Sequence, residues 1–200
     1  MIPVQIDGNP IEVEPGTTIL AAGRQAGVFI PTLCNHEMLE PYGSCRVCSV
    51  EIEVGGRKKI VTACNYPIHS ELQVFTGSET ALSTRKMVLE MMLARWPNVT
   101  IIQNMAKQAG VERARFSHPE KNESENACIL CGHCVRICRE GVWHKVLAFE
   151  GRGSSRRVVM PYDEVLPECT GCGACAAVCP TGAIVMEDDP NHPADYERIR

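Results

Sequence analysis

Apolar and polar positions alternate from the first residues: Val4 and Ile6 fall on one face, Asp7-Gly8 follows, and Ile11 and Val13 alternate again. That pattern predicts a β-hairpin closed by a tight turn. Thr17 or Thr18 can cap a short helix carrying Ile19, Leu20 and Ala22, and Gly27 closes it before the extended run Val28 to Ile30. Strand alternation returns at Val50, Ile52 and Val54, turns at Gly55-Gly56, and continues through Ile60 and Val61 and then Leu72 and Val74. Hairpin, helix and further strands suggest a β-grasp unit.

From about residue 79 the period changes. Leu82, Leu89, Met92 and Leu93 are spaced for one face of a helix that should end at Trp96-Pro97, because proline disfavours helix in the residue before it. Ile101, Ile102, Met105, Ala106 and Ala109 predict a second helix stopping at Gly110, with its methionines read as core. SHPEKNESEN at 117–126 reads as a surface connection, and the charged, proline-broken end EDDPNHPADYERIR as a peripheral tail.

Composition narrows the class of protein. With 44% apolar residues in 200, the chain can bury compact cores, and a net charge of −4 without a basic stripe leaves no footprint for nucleic acid. No run approaches the length of a membrane span, and the N-terminus lacks the basic start and apolar stretch of a secretion signal. A cytoplasmic location is therefore expected, and in a reducing compartment the 12 cysteines read as metal ligands instead of disulfides.

The cysteines divide into three sets of four with none left over: Cys34, Cys45, Cys48 and Cys64; Cys128, Cys131, Cys134 and Cys138; Cys169, Cys172, Cys175 and Cys179. The last set, followed by Pro180, matches C-x2-C-x2-C-x3-C-P, a run in which the fourth cysteine ligates the neighbouring cluster in two-cluster proteins. Cys179 should thus complete a first 4Fe-4S site with Cys128, Cys131 and Cys134. Cys138 should complete a second with Cys169, Cys172 and Cys175, although Arg139 stands where the first run would have proline. Cys34, Cys45, Cys48 and Cys64 suit a 2Fe-2S cluster, with a first interval of C-x10-C in place of the plant-type C-x4-C. Small residues in GSCRVC let backbone N–H groups approach the sulfurs. Zinc remains the alternative for each set.

The expected fold class is α+β. An N-terminal β-grasp 2Fe-2S ferredoxin-like domain (1–78) leads through a helical linker (79–116) to a C-terminal bacterial-type ferredoxin-like domain for two 4Fe-4S clusters, with its tail (117–200). His133, between two ligand cysteines, is expected beside the site or at the surface, and His36, His69, His118, His144 and His192 as exposed polar residues. Arg152, Arg156 and Arg157 read as a solvated basic loop that an acidic partner could dock. Neither a nucleotide fingerprint nor a nucleophilic triad occurs, so no catalytic residue is assigned.

Together PTLC, GSCRVCSVE, TAC, CILCGHCVRIC and CTGCGACAAVCPTGAI resemble the N-terminal iron-sulfur region of the large complex I subunit. They also resemble the iron-sulfur subunit of the diaphorase module in NAD-linked hydrogenases and parts of formate dehydrogenases and FeFe hydrogenases. The resemblance implies an electron-relay subunit between a flavin subunit that oxidises NAD(P)H and a metal-containing catalytic subunit. Members commonly hold another 4Fe-4S cluster on one histidine and three cysteines. Here Arg95-Trp96-Pro97 takes the place of the histidine segment and no cysteine lies between Cys64 and Cys128, so that cluster is expected to be absent. A free multi-cluster carrier is the second reading. A succinate dehydrogenase or fumarate reductase-type iron-sulfur subunit is the third.

Overall fold

The computed structural model describes residues 1–161, 167–189 and 192–196, with the backbone alone for 187–189 and 192–196. β1 (Ile2–Ile6) and β2 (Asn9–Val13) form the expected hairpin, with both Asp7 and Gly8 at positive φ, as a type I′ turn requires. The helix α1 (Ile19–Gln25) is capped by Thr18, whose hydroxyl accepts from Ala21 N at 3.2 Å. Val28 to Ile30 forms no strand. β3 (Ser49–Val54), β4 (Arg57–Thr62) and β5 (Leu72–Phe75) complete a five-stranded sheet of order β2-β1-β5-β3-β4, in which β1 and β5 are parallel. Val4, Ile6, Ile19, Val50, Ile52, Ile68 and Val74 fill the core between sheet and helix and are essentially inaccessible. Each such side chain contributes roughly 1.5–3 kcal/mol by burial.

α2 (Glu79–Arg95), capped by Ser78, and α3 (Thr100–Gln108) form the next body. Buried Arg85 of α2 donates to the Thr76 carbonyl, and Thr76 in turn donates to Asp7 from its N–H (2.7 Å) and hydroxyl (2.5 Å), tying the helix to the sheet. Leu89, Ile102 and Ala106 are buried and Met92, Leu93, Ile101, Met105 and Ala109 pack against them. Leu82 departs from the expected face: it is exposed, as are Met87 and Met91, so the apolar side of α2 is narrower than its spacing suggests.

The helices do more than link. Their core also takes in Leu33 and Val47 from the first unit and Ala127 and Ile129 from the last, with Trp96 buried among them. Arg95 stacks on the Trp96 ring at 4.9 Å and donates to the Ser154 carbonyl at 2.9 Å, and the connection at 117–126 returns an N–H from Asn122 to the Arg95 carbonyl at 2.7 Å.

The remaining chain is mostly turns: α4 (His133–Arg136) running into a π-helical turn (Ile137–Gly141), β6 (Ala148–Glu150) paired with β7 (Arg157–Val159), and α5 (Ala174–Ala177). The tail carries a strand pair that its sequence did not predict. β8 (Met186–Asp189) and β9 (His192–Tyr196) pair antiparallel. Both strands of a two-stranded ribbon are edges, where Pro193 is tolerated. Among the described residues no helix is long and apolar enough to cross a membrane.

Candidate iron-sulfur centres

Cys34 and Cys45 flank a loop, Cys48 precedes β3, and Cys64 follows β4. Gly43 at φ +69° opens the turn into Cys45, and a Cβ there would stand 2.4 Å from the Asn65 amide nitrogen. Arg46 also takes positive φ, and the Ser44 and Cys45 N–H groups nearby donate to Cys34. The Cys45 N–H donates to Cys34 Sγ at 3.3 Å.

The four thiols couple as two pairs. Cys34 is held down at about 6, chiefly by the hydrogen bond from the Cys45 thiol, while Cys45 is pushed up by the same contact. Cys48 is lowered to about 7 chiefly by the Cys64 thiol, and Cys64 rises correspondingly. Two sulfurs beside two sulfurs suit a two-iron cluster, in which each iron takes two thiolates.

The other eight cysteines line two small cavities. Cys128, Cys131, Cys134 and Cys179 line one, with Ile129, Val158 and Ile184. Cys138, Cys169, Cys172 and Cys175 line the other, with Val146, Leu147 and Met160. Sulfurs from different runs thus share each cavity. Burial pushes the Cys128 and Cys134 thiols up, and takes Cys131 and Cys175 to about 11. Burial also raises Cys179, but donors from Thr181, Ile184 and Ala183 outweigh it and hold that thiol below its ordinary value.

The donor sets fit clusters better than single ions. Four cysteines drawn from both runs line each cavity, the ligand number and the sharing between runs that a pair of cubanes takes. Gly132 and Gly173, both at positive φ, start α4 and α5 directly after Cys131 and Cys172. At Gly132 a Cβ would press on Phe149 (3.3 Å) and Tyr42 (3.4 Å).

The histidines are less exposed than their sequence setting implied. His133 is buried; its Nδ1–H donates to the Val178 carbonyl at 3.2 Å, and its ring meets His36 edge-on at 5.4 Å. His36, His118 and His144 are half-buried, correcting the expectation of exposed residues. Their ring nitrogens bond to near neighbours: His36 and His118 accept from Met38 and Glu120 N–H, and His144 pairs with the Thr170 hydroxyl at 3.1 Å beside the second cavity. His69 is exposed, and the His192 side chain lies outside the described residues. The basic loop is partly spoken for: Arg156 stacks on Phe149 at 3.8 Å, and Arg157 pairs with Glu150 at 2.6 Å.

Spacing alone did not reveal Arg136. It lies within the run CVRIC, is buried, and its charge contributes to lowering Cys34 in the first unit. Nothing but the long first cysteine interval hints at that reach.

Residues 1–79 match the family of 2Fe-2S iron-sulfur cluster binding domains, and residues 127–183 match the 4Fe-4S dicluster domain. The class follows from these matches and the cavities: an α+β iron-sulfur protein with one 2Fe-2S and two 4Fe-4S clusters. The chain is 35% identical to the NADPH-Fe(3+) oxidoreductase subunit alpha of Geobacter sulfurreducens over 94% of its own length and 24% of the relative's. It is 30% identical to the NADH-ubiquinone oxidoreductase 75 kDa subunit of Reclinomonas americana over 94% of its length and 30% of that protein. It thus spans about a quarter to a third of the length of these curated relatives. A chain of NAD+-reducing NiFe-hydrogenase in the H2-reduced state superposes with a TM-score of 0.71 at 31% identity, covering 90% of this chain and 85% of that one. The protein belongs to the family of iron-sulfur subunits shared by complex I 75 kDa-type proteins and NAD-reducing hydrogenases.

Proposed function

We propose that this chain is the electron-relay subunit of a multi-subunit NAD(P)-linked oxidoreductase, joining a flavin subunit that oxidises NAD(P)H to a metal-containing catalytic subunit. Cys34, Cys45, Cys48 and Cys64 hold the 2Fe-2S cluster. Cys128, Cys131, Cys134 and Cys179 hold one 4Fe-4S cluster, and Cys138, Cys169, Cys172 and Cys175 the other. When bound, these clusters supply one-electron oxidation and reduction.

The observation that carries the reading is the continuity of the three cysteine sets. The Cys131 sulfur lies close enough to Cys34 for their charges to interact, and Cys134 and Cys138 share one core. The relatives named as NAD(P)H oxidoreductase and hydrogenase subunits support it. The units at 1–78, 79–116 and 117–200 serve as redox, spacer and redox parts, working in the cytoplasm.

Phe29 (81% exposed), Met38 (70%) and Trp143 (72%) are large apolar side chains that a partner subunit would cover in the subunit reading. Anaerobic purification of the native protein at low salt, with mass spectrometry of what stays bound, tests it. A flavin subunit together with a hydrogenase, formate dehydrogenase or other catalytic chain is expected. Iron-loaded protein recovered alone would favour the free carrier.

A further inference from the structure

The first cysteine interval is longer than the plant-type spacing, and the extra residues reach the dicluster unit. Leu39 is buried in the same core as Cys134, Ile137 and Cys138. Glu40 is gripped from both sides: its N–H donates to Glu140 Oε2 at 3.3 Å, and its carbonyl accepts from Arg136 Nη2. The same guanidinium donates through Nη1 to the Cys34 carbonyl at 3.5 Å and lies 4.9 Å from the centre of the Tyr42 ring. Four points of one loop are thus held by the helical turn around the first 4Fe-4S run.

The charge balance at this grip is uneven. Arg136 is 4% exposed, and its carboxylate partner Glu140, 3.5 Å from Nε, also pairs with Arg139 at 3.2 Å. One carboxylate faces two guanidiniums, leaving positive charge next to the Cys34 backbone. A fixed positive charge in a poorly solvated place favours whichever state of a neighbouring group is more negative. For an iron-sulfur cluster that is the reduced state, formed by adding one electron.

We propose that Arg136 is a positioning residue for the 2Fe-2S site: it clamps the Cys34–Cys45 loop onto the dicluster unit and raises the potential of the cluster held there. The proposal rests on the assignment of Cys34, Cys45, Cys48 and Cys64 to that cluster. The π-helical turn at Ile137–Gly141 is part of the device, since it carries Glu140 to the Glu40 N–H. A purely structural Arg136 would hold the loop without acting on the potential.

EPR-monitored redox titration of the full, anaerobically loaded chain tests the proposal. R136Q should lower the midpoint of the 2Fe-2S signal, weaken its magnetic interaction with the first 4Fe-4S cluster, and leave the second unshifted. R136K keeps the charge but cannot reach both carbonyls and Tyr42, so the midpoint should fall less while proteolysis between Cys34 and Cys45 increases. E140Q, at a partly exposed position, should shift the midpoint upward. Unchanged 2Fe-2S midpoints in both R136Q and E140Q would overturn the proposal. A wild-type chain without a 2Fe-2S signal would instead overturn the cluster assignment, and the proposal with it.

Discussion

The 2Fe-2S unit and the dicluster unit surround their sulfurs with different amounts of aliphatic core. In the first, Cys48 and Cys64 join a large, mostly aliphatic core that runs from Val4 to Val74 between a five-stranded sheet and a helix. In the second, Cys134, Cys138 and Cys175 are themselves core residues, accompanied by a few aliphatics such as Ile137, Val146, Leu147 and Val158. The thiol chemistry follows this division. In the first unit partner thiols are the largest cause, holding Cys34 and Cys48 down and pushing Cys45 and Cys64 up, whereas in the second burial is the largest cause and takes Cys131 and Cys175 to about 11. The first fold has more aliphatic packing to stand on without its cluster than the second has.

Removing iron should therefore expose the largest difference. After chelation under reducing conditions, amides in 127–184 should lose protection from hydrogen exchange by orders of magnitude, while β1, β3 and β5 keep theirs. Equal loss in both units would break the comparison. Cysteine replacement sharpens it. C179S should abolish the 4Fe-4S signal of the site lined by Cys128, Cys131 and Cys134, costing about four irons per chain, and spare the site begun by Cys169. Loss of the second site instead would mean that each run holds its own cluster.

Within the first unit, G43A should cost about 1–3 kcal/mol in a denaturant melt, since φ is +69° and Asn65 occupies the space. G27A, also at positive φ but with open space around it, should cost less, about 1 kcal/mol. Equal losses would place the strain in the backbone alone.

The smallest effect concerns the spacer. Glu90 receives the Arg115 guanidinium at 2.7 and 2.8 Å and its N–H at 2.7 Å, which lowers its carboxyl from 4.5 to about 2. A depressed folded value contributes stability above the unfolded value that is lost as pH falls from about 4.5 towards 2. E90Q should flatten the melting temperature across that window. An unchanged acid slope would remove this pair from the account.

Much of the fold was legible because local chemistry and global packing agree. The Asp7-Gly8 turn, the Thr18 cap and the end of α2 before Pro97 each follow from one or two residues. The cysteine spacing pointed to three clusters because thiolate geometry is local to each run. What stayed hidden depends on contacts far apart in sequence. Leu82 has helical spacing but stays exposed. Arg136 reaches residues about a hundred positions away, and its run reads the same with or without that contact. The tail's charge and prolines masked a pairing made through backbone groups.

Metal analysis with EPR of the anaerobically reduced protein tests most directly that twelve cysteines hold three clusters. The account predicts about ten irons per chain, with one 2Fe-2S signal and two interacting 4Fe-4S signals. Stoichiometric zinc with iron near zero would contradict it.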